Sequence, residues 1–327
     1  MPKPADSAAT AARTISFGLS SSLENATRAE ELGFGFTSIS DHYHPWVTAQ
    51  GHSPFVWTVL GAIASATEHV EVCVGVTCPI MRIHPAILAQ AVATTSLLFD
   101  GRFAWGVGTG EALNEHIFGD RWPPPEIRRE MLEEAVGVVR ELFGGDTVDH
   151  RGRYYEVENA RLFDPPAVRV PIIVSGFGPE SAALAGRIGD GYWGTAPERE
   201  LLETFERAGG HGPRYAQLTL CWAEDDERAR KTAYEIWPNA GVSGQLSQDL
   251  PTWTHFEQAS EPLTEDQVTK SLPCGPDIVV EVVENVSKYL DAGYDHVYFH
   301  QIGPDQDGFF RFWERELRPA LEERFVA

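Results

Sequence analysis

The chain has 327 residues, 43% of them hydrophobic and 23% charged, a globular composition with enough length to bury a core of its own. Its formal net charge of −22 and pI of about 4.8 argue against nucleic acid or an anionic membrane as partner, since both need a basic face. Four cysteines in no CxxC pair, an N-terminal stretch without the apolar centre of a signal peptide, and no run near ~20 apolar residues point to a reduced, cytoplasmic protein.

In chain order, residues 1–13 read as a frayed tail and TISFGL (14–19) as a first strand. A helix over 23–33 stops at Gly33, and FTSIS (36–40) is the second strand, ending at Asp41. A helix over 54–67 has Pro54 in its first turn, and VEVCVGVTC (70–78) is a buried strand rich in β-branched residues. Residues 84–99 form the next helix, RFAWGVGTG (102–110) a strand running into glycines, and 124–145 a strongly amphipathic helix. An inserted hairpin over 146–165 precedes PIIVSGFG (171–178), a strand with a glycine turn. Strands at 191–195, 214–224 and 295–301 alternate with helices, interrupted by an insertion over 238–275.

Eight strand–helix units in one domain imply a parallel sheet closed into an α/β, (β/α)8 TIM barrel with insertions after strands 4 and 7. No GxGxxG follows the first strand, which disfavours a dinucleotide-binding domain. Chemistry in a barrel sits on the loops after the strands. There DHYHPW places Asp41, His42, His44 and Trp46 together. Its HxH spacing, with His300 as a third ligand, fits a metal hydrolase, but no His or Lys ends strand five or six. A polar loop and a histidine acid/base held by Asp41 are the other two readings. GVGTGEALNEH (106–116) offers Glu111 as a titratable acid on a glycine loop, with Asn114 one turn on. SGFGPES (175–181) opens a helix in a way that suits an anion.

SDHYHPW, SPFVW, GVTCPxxRIHPAILAQA (75–91), GVGTGEALNEH and SGFGPE occur in the order seen in luciferase-like barrel enzymes. Among these the chain resembles, over about 15–322, the branch typified by F420-dependent glucose-6-phosphate dehydrogenase. The resemblance implies a dimeric barrel that binds the deazaflavin coenzyme F420. By position it implies Asp41 on the deazaflavin ring and Gly75 and Val76 as a bulge behind it, joined by a cis peptide. Thr109 and Asn114 would contact the coenzyme, and Gly176, Phe177 and Gly178 its phosphate end. His42 would take the substrate hydroxyl proton, Trp46 would stabilise developing charge, and Glu111, protonated through a pKa raised by partial burial, would supply a proton to the ring.

Two departures bear on the substrate, which would meet Thr195. Sugar-phosphate members carry a Lys three positions after the matching Thr, where this chain has Glu198, and HFEQASEP (255–262) also lacks Lys. A phosphate would be repelled, so a neutral alcohol, aldehyde or ketone is expected instead. The first strand–helix loop, Ser20 to Ser22, is short, which implies a more open pocket. The readings carried forward are an F420-dependent oxidoreductase on alcohol or carbonyl groups, an FMN-dependent luciferase-like monooxygenase or reductase, and a metal-dependent barrel hydrolase.

Overall fold

The computed structural model describes residues 10–15, 19–242, 244–270 and 272–325. Eight parallel strands close a barrel: β1 (Thr10–Ile15), β2 (Phe36–Ile39), β3 (Glu71–Thr77), β4 (Phe103–Val107), β7 (Ile172–Ser175), β8 (Gly191–Gly194), β9 (Arg214–Leu220) and β10 (His296–Gln301). Between β4 and β7, β5 (Val148–Arg151) and β6 (Glu156–Ala160) pair as an antiparallel hairpin outside the barrel. The ring closes between β1 and both β2 and β10.

The first unit differs from the sequence reading. β1 begins at Thr10, within the stretch expected to be a tail, and pairs through Arg13 with Phe299 and Thr37. The following helix starts at Leu19, not Leu23, so Ser20 is helical rather than part of a loop. The tail over 1–9 and the end of the expected first strand, 16–18, lie outside the described residues.

Alternation along each strand divides the core in two, as the period of two in a barrel requires. Val72 and Val74, Phe103 and Trp105, Ile172 and Val174, and Val297 and Phe299 point outward into the helix layer. Cys73, Ala104, Ile173, Trp193, Tyr215 and Tyr298 point inward and fill the barrel with rings. The interior is therefore a packed plug, and open space begins only at the strand C-termini.

Local chemistry sets the helix ends. Pro85 opens the helix Pro85–Leu98 and the His84 side chain accepts the Ala86 N–H at 3.1 Å. Asp225 caps the helix Asp226–Ile236 by accepting from the Arg228 N–H at 2.8 Å. After that helix the chain runs through a turn at Pro238–Gly241 and short helices at Leu246–Asp249, Trp253–Ser260 and Glu265–Thr269. It rejoins the barrel beside β9, where the backbones of Cys221 and Cys274 pair in parallel. All four cysteines are free thiols, and burial pushes those of Cys221 and Cys274 up to about 12. Among the described residues no helix is long and apolar enough to cross a membrane.

Candidate active site

A cavity of about 420 Å³ opens at the C-terminal mouth of the barrel. The ends of β2, β3, β4 and β7 supply one wall, with Asp41, Gly75, Val76, Thr109 and Gly176 among its residues. The ends of β8 to β10 and the chain after Asp226–Ile236 supply the other, with Thr195, Trp237, Asn239, Val242, Phe256 and His300. Trp193, the top of the interior plug, is its floor.

The first wall is shaped by backbone. The Gly75–Val76 peptide is cis, as the resemblance implies, and the β3–β4 register shifts between Val74 and Thr77. A Cβ on Gly75 would collide with the Trp193 ring, and one on Gly108 would press on Val76 at 2.9 Å. Gly110 has φ of 67°, the left-handed region, with Cys78 packed against it. Side chains at these positions would collide with packed neighbours, so glycine alone lets this wall present bare backbone to the cavity.

Charge is buried beneath that wall. Arg82 donates to Asp41 Oδ1 at 2.7 Å and to Glu115 Oε1 at 3.3 Å, while Glu115 Oε2 accepts the Arg82 backbone N–H at 2.9 Å. All three residues are buried. Burial works against the Arg82 charge, but the two carboxylates outweigh it and raise its pKa. One cation cannot satisfy two buried carboxylates equally. The shorter bond goes to Asp41, and burial pushes Glu115 up to about 7 against the pull of Arg82. Asp41 Oδ2 is buried with no hydrogen-bond partner in the protein, a lone acceptor on a residue that lines the cavity. Sequence reading missed Arg82 and Glu115. Their signal lay within the quoted motifs, GVTCPxxR and GEALNE, but their pairing across 33 positions did not.

The expected catalytic residues meet at the cavity. The His42 and Trp46 rings pack edge to face at 5.3 Å, and Ser53 Oγ holds the His42 carbonyl at 2.8 Å. Glu111 stands at the N-cap of the short helix Ala112–Glu115 and lines the same cavity. Asn114 is buried, and its Oδ1 accepts the N–H groups of Tyr43 and His44 at 2.9 and 3.0 Å, which ties the β4 loop to the β2 loop. Its Nδ2 lies 3.5 Å from Glu111 Oε2. His44 donates through Nδ1 to the Leu113 carbonyl at 2.8 Å, a further tie between these loops. Among the described residues no group of three or more His, Cys, Asp or Glu is placed to hold a metal ion. His300 instead packs edge to face on Trp237 at 4.6 Å, near Gln217 and Thr219.

Other expected residues divide. Gly176, Phe177 and Thr195 line the cavity. Gly178 is the N-cap of the helix Pro179–Ile188 and is not among the lining residues, whereas Ser175 and Ser181 are. Glu198 is exposed at the N-cap of the helix Arg199–Arg207 and does not line the cavity either. The absence of a basic residue is broader than that one position: among the described residues no Lys or Arg lines the cavity.

Residues 3–296 match the luciferase-like monooxygenase family. An F420-dependent glucose-6-phosphate dehydrogenase of Amycolatopsis mediterranei is 34% identical over 93% of this chain and 95% of its own length. One of Microbacterium testaceum is 32% identical over 95% and 96%. Among solved structures, an F420-dependent secondary alcohol dehydrogenase in complex with an F420–acetone adduct superposes with a TM-score of 0.87 at 28% identity, covering 96% of this chain and 99% of that one. The F420-dependent tetrahydromethanopterin reductase of Methanopyrus kandleri shares the fold, with a TM-score of 0.72 at 20% identity over 96% and 99%. A parallel barrel with this cis bulge and glycine cradle, matched along nearly all of its length, places the chain in the luciferase-like family.

Proposed function

We propose that this chain is an F420-dependent oxidoreductase that moves a hydride between the coenzyme and a neutral alcohol or carbonyl compound, and that glucose-6-phosphate is not its substrate. The observation that carries the substrate choice is the cavity lining, in which the cationic partner a phosphate dianion needs is missing. The relatives named as glucose-6-phosphate dehydrogenases support the coenzyme and the reaction class. The secondary alcohol dehydrogenase supports a small uncharged substrate.

The residues present fit the coenzyme. Gly75, Gly108 and Gly110 line the cavity with backbone against which a flat ring would lie, and buried Asp41 Oδ2 would offer an acceptor to a ring N–H. Thr109 lines the same cavity and would contact the coenzyme, and Gly176 and Phe177, also in the lining, would hold its phosphate end. When bound, the deazaflavin supplies a carbon, C5, that accepts or returns a hydride.

The remaining steps belong to the protein. His42 takes the hydroxyl proton of an alcohol, or returns it to a carbonyl oxygen. Trp46, packed on His42, walls the reacting carbon and steadies charge growing on its oxygen. Glu111 holds at its carboxyl the second proton that balances the reduction. His44 and Asn114 carry no proton in this scheme: they brace the β2 and β4 loops so that His42 and Glu111 face one cavity. The enzyme works as a cytoplasmic homodimer in this reading, which the four free thiols and the resemblance support.

A screen tests the substrate choice. With F420 present, secondary alcohols, primary alcohols and glucose-6-phosphate are compared by the loss of the oxidised coenzyme's absorbance. A neutral alcohol should give the highest kcat/KM, and a preference for glucose-6-phosphate would overturn the assignment.

A further inference from the structure

Gln50 fastens the loop that carries Trp46 to the opposite wall of the cavity. Gln50 Oε1 accepts the Trp46 backbone N–H at 2.9 Å. Gln50 Nε2 donates to the Ile236 carbonyl at 3.0 Å and to Asn239 Oδ1 at 3.2 Å. Its acceptor and both amide protons are thus used, and the bonds cross 186 and 189 positions of sequence. Ile236 and Asn239 line the cavity, as do Trp46 and Gln50 themselves.

The local turn does not require this side chain. Thr48–Gln50 is a single tight turn closed by its own backbone, Gln50 N–H to Val47 O at 3.1 Å and Gly51 N–H to Thr48 O at 3.1 Å. The Gln50 amide is surplus to the turn and is spent across the cavity. The rest of the loop leans the same way. Glu257 Oε1 accepts the Thr48 N–H at 2.9 Å, and the Trp46 ring packs edge to face on Phe256 at 5.0 Å. Glu257 is half-buried and its bond to Thr48 is solvent-exposed, so this is the weaker clasp.

We infer that Gln50 is a positioning residue that fixes Trp46 against the wall formed by Ile236 and Asn239, and so sets the width of the slot in which the substrate's reacting carbon sits. The inference rests on the oxidoreductase reading above for its consequence, though not for its geometry. The Gln50 side chain bonds to Trp46, Ile236 and Asn239, whereas Asp41, Arg82 and Glu115 bond to one another, so loss of Gln50 should loosen substrate and spare the coenzyme. Small displacements matter here, because a misplacement of about 1 Å costs about 100-fold in rate.

Two variants separate the two halves of the clasp. Gln50→Leu removes all three bonds. Gln50→Glu keeps the acceptor for the Trp46 N–H but sets a carboxylate against the Ile236 carbonyl and Asn239 Oδ1. Hydrogen exchange of the Trp46 amide, read on the protein without coenzyme, should accelerate by about tenfold or more in Gln50→Leu and stay near wild type in Gln50→Glu. With F420 and a secondary alcohol, both variants should lose roughly 10- to 100-fold in kcat/KM while the F420 Kd stays within about twofold. Asn239→Ala, which removes one bond from the wall side, should lose about threefold in kcat/KM and guards against a folding defect in the others. Unchanged Trp46 exchange in Gln50→Leu would overturn the clasp, whether or not the protein turns over. Equal losses of coenzyme affinity and substrate kinetics would overturn the positioning role and leave a general loosening in its place. Failure of wild type to use F420 would instead overturn the reading of function.

Discussion

The two walls of the cavity are built by opposite means. On the side of β2, β3, β4 and β7 the wall is backbone: a cis bulge, close-packed glycines and a buried group of one cation between two carboxylates. Across the cavity the wall is made of neutral side chains, Trp237, Asn239, Val242 and Phe256, carried largely by chain outside the barrel and pinned by Gln50. A backbone cradle tolerates little change, which suits an invariant coenzyme. Side chains on an insertion can be exchanged without disturbing the barrel, which suits a substrate that differs between relatives.

That contrast can be broken most sharply at Glu111, on the loop after β4 in the first wall. Glu111→Gln should bind F420 within a few-fold of wild type yet lose about 1000-fold in kcat, as loss of a proton donor does. Retained turnover in steady-state assays would remove Glu111 from the chemistry. His42→Ala should cost about 100-fold or more in kcat/KM with the coenzyme affinity unaltered.

The buried charges of the first wall predict effects on stability. Arg82→Met strands the buried Asp41 carboxylate and takes the cation from beside Glu115, and should cost about 3–5 kcal/mol in chemical denaturation. Arg82→Met should also weaken F420 binding, because Asp41 loses the cation that holds it. Glu115 gives a pH signature. Its pKa rises from an ordinary 4.5 to about 7 on folding, so the native state binds the extra proton. The stabilisation is complete below about 4.5 and is lost as pH climbs through about 7. Relative to Glu115→Gln, wild type should lose up to roughly 3 kcal/mol across that window and run parallel above it. A difference that grows with falling pH in the other direction would show Glu115 to be a charged partner of Arg82 throughout.

The smallest effect is expected at His44. If its Nδ1–H bond to the Leu113 carbonyl only braces the loops, His44→Ala should cost about 1 kcal/mol in stability and less than about tenfold in kcat. A larger kinetic loss would return His44 to the catalytic group.

The same contrast explains what could be read from sequence. Strand–helix alternation was legible along nearly the whole barrel because its apolar periods are local, and the site residues on the first wall sit in short runs after strands. Asp41, His42 and Trp46 span six positions, and Thr109, Glu111 and Asn114 span six more. The first strand was misplaced: ISFGL carries the apolar signal, but β1 is Thr10–Ile15, whose pairing with β2 and β10 is long-range. Arg82 was missed because an arginine in a motif does not announce that it will be buried between Asp41 and Glu115. The second wall was the least legible. Asn239 and Phe256 meet the loop of Trp46 through contacts spanning about 200 residues, and residues on an irregular insertion have no period to reveal their direction.

Binding of the coenzyme tests the central claim most directly. With nine tryptophans in the chain, Trp46, Trp193 and Trp237 among the cavity lining, F420 should quench tryptophan fluorescence saturably with a Kd at or below about 10 μM, an affinity of about 7 kcal/mol. FMN should quench at least about tenfold more weakly, a difference of about 1.4 kcal/mol. Tighter binding of FMN, or no saturable quenching by F420 at tens of micromolar, would contradict the account.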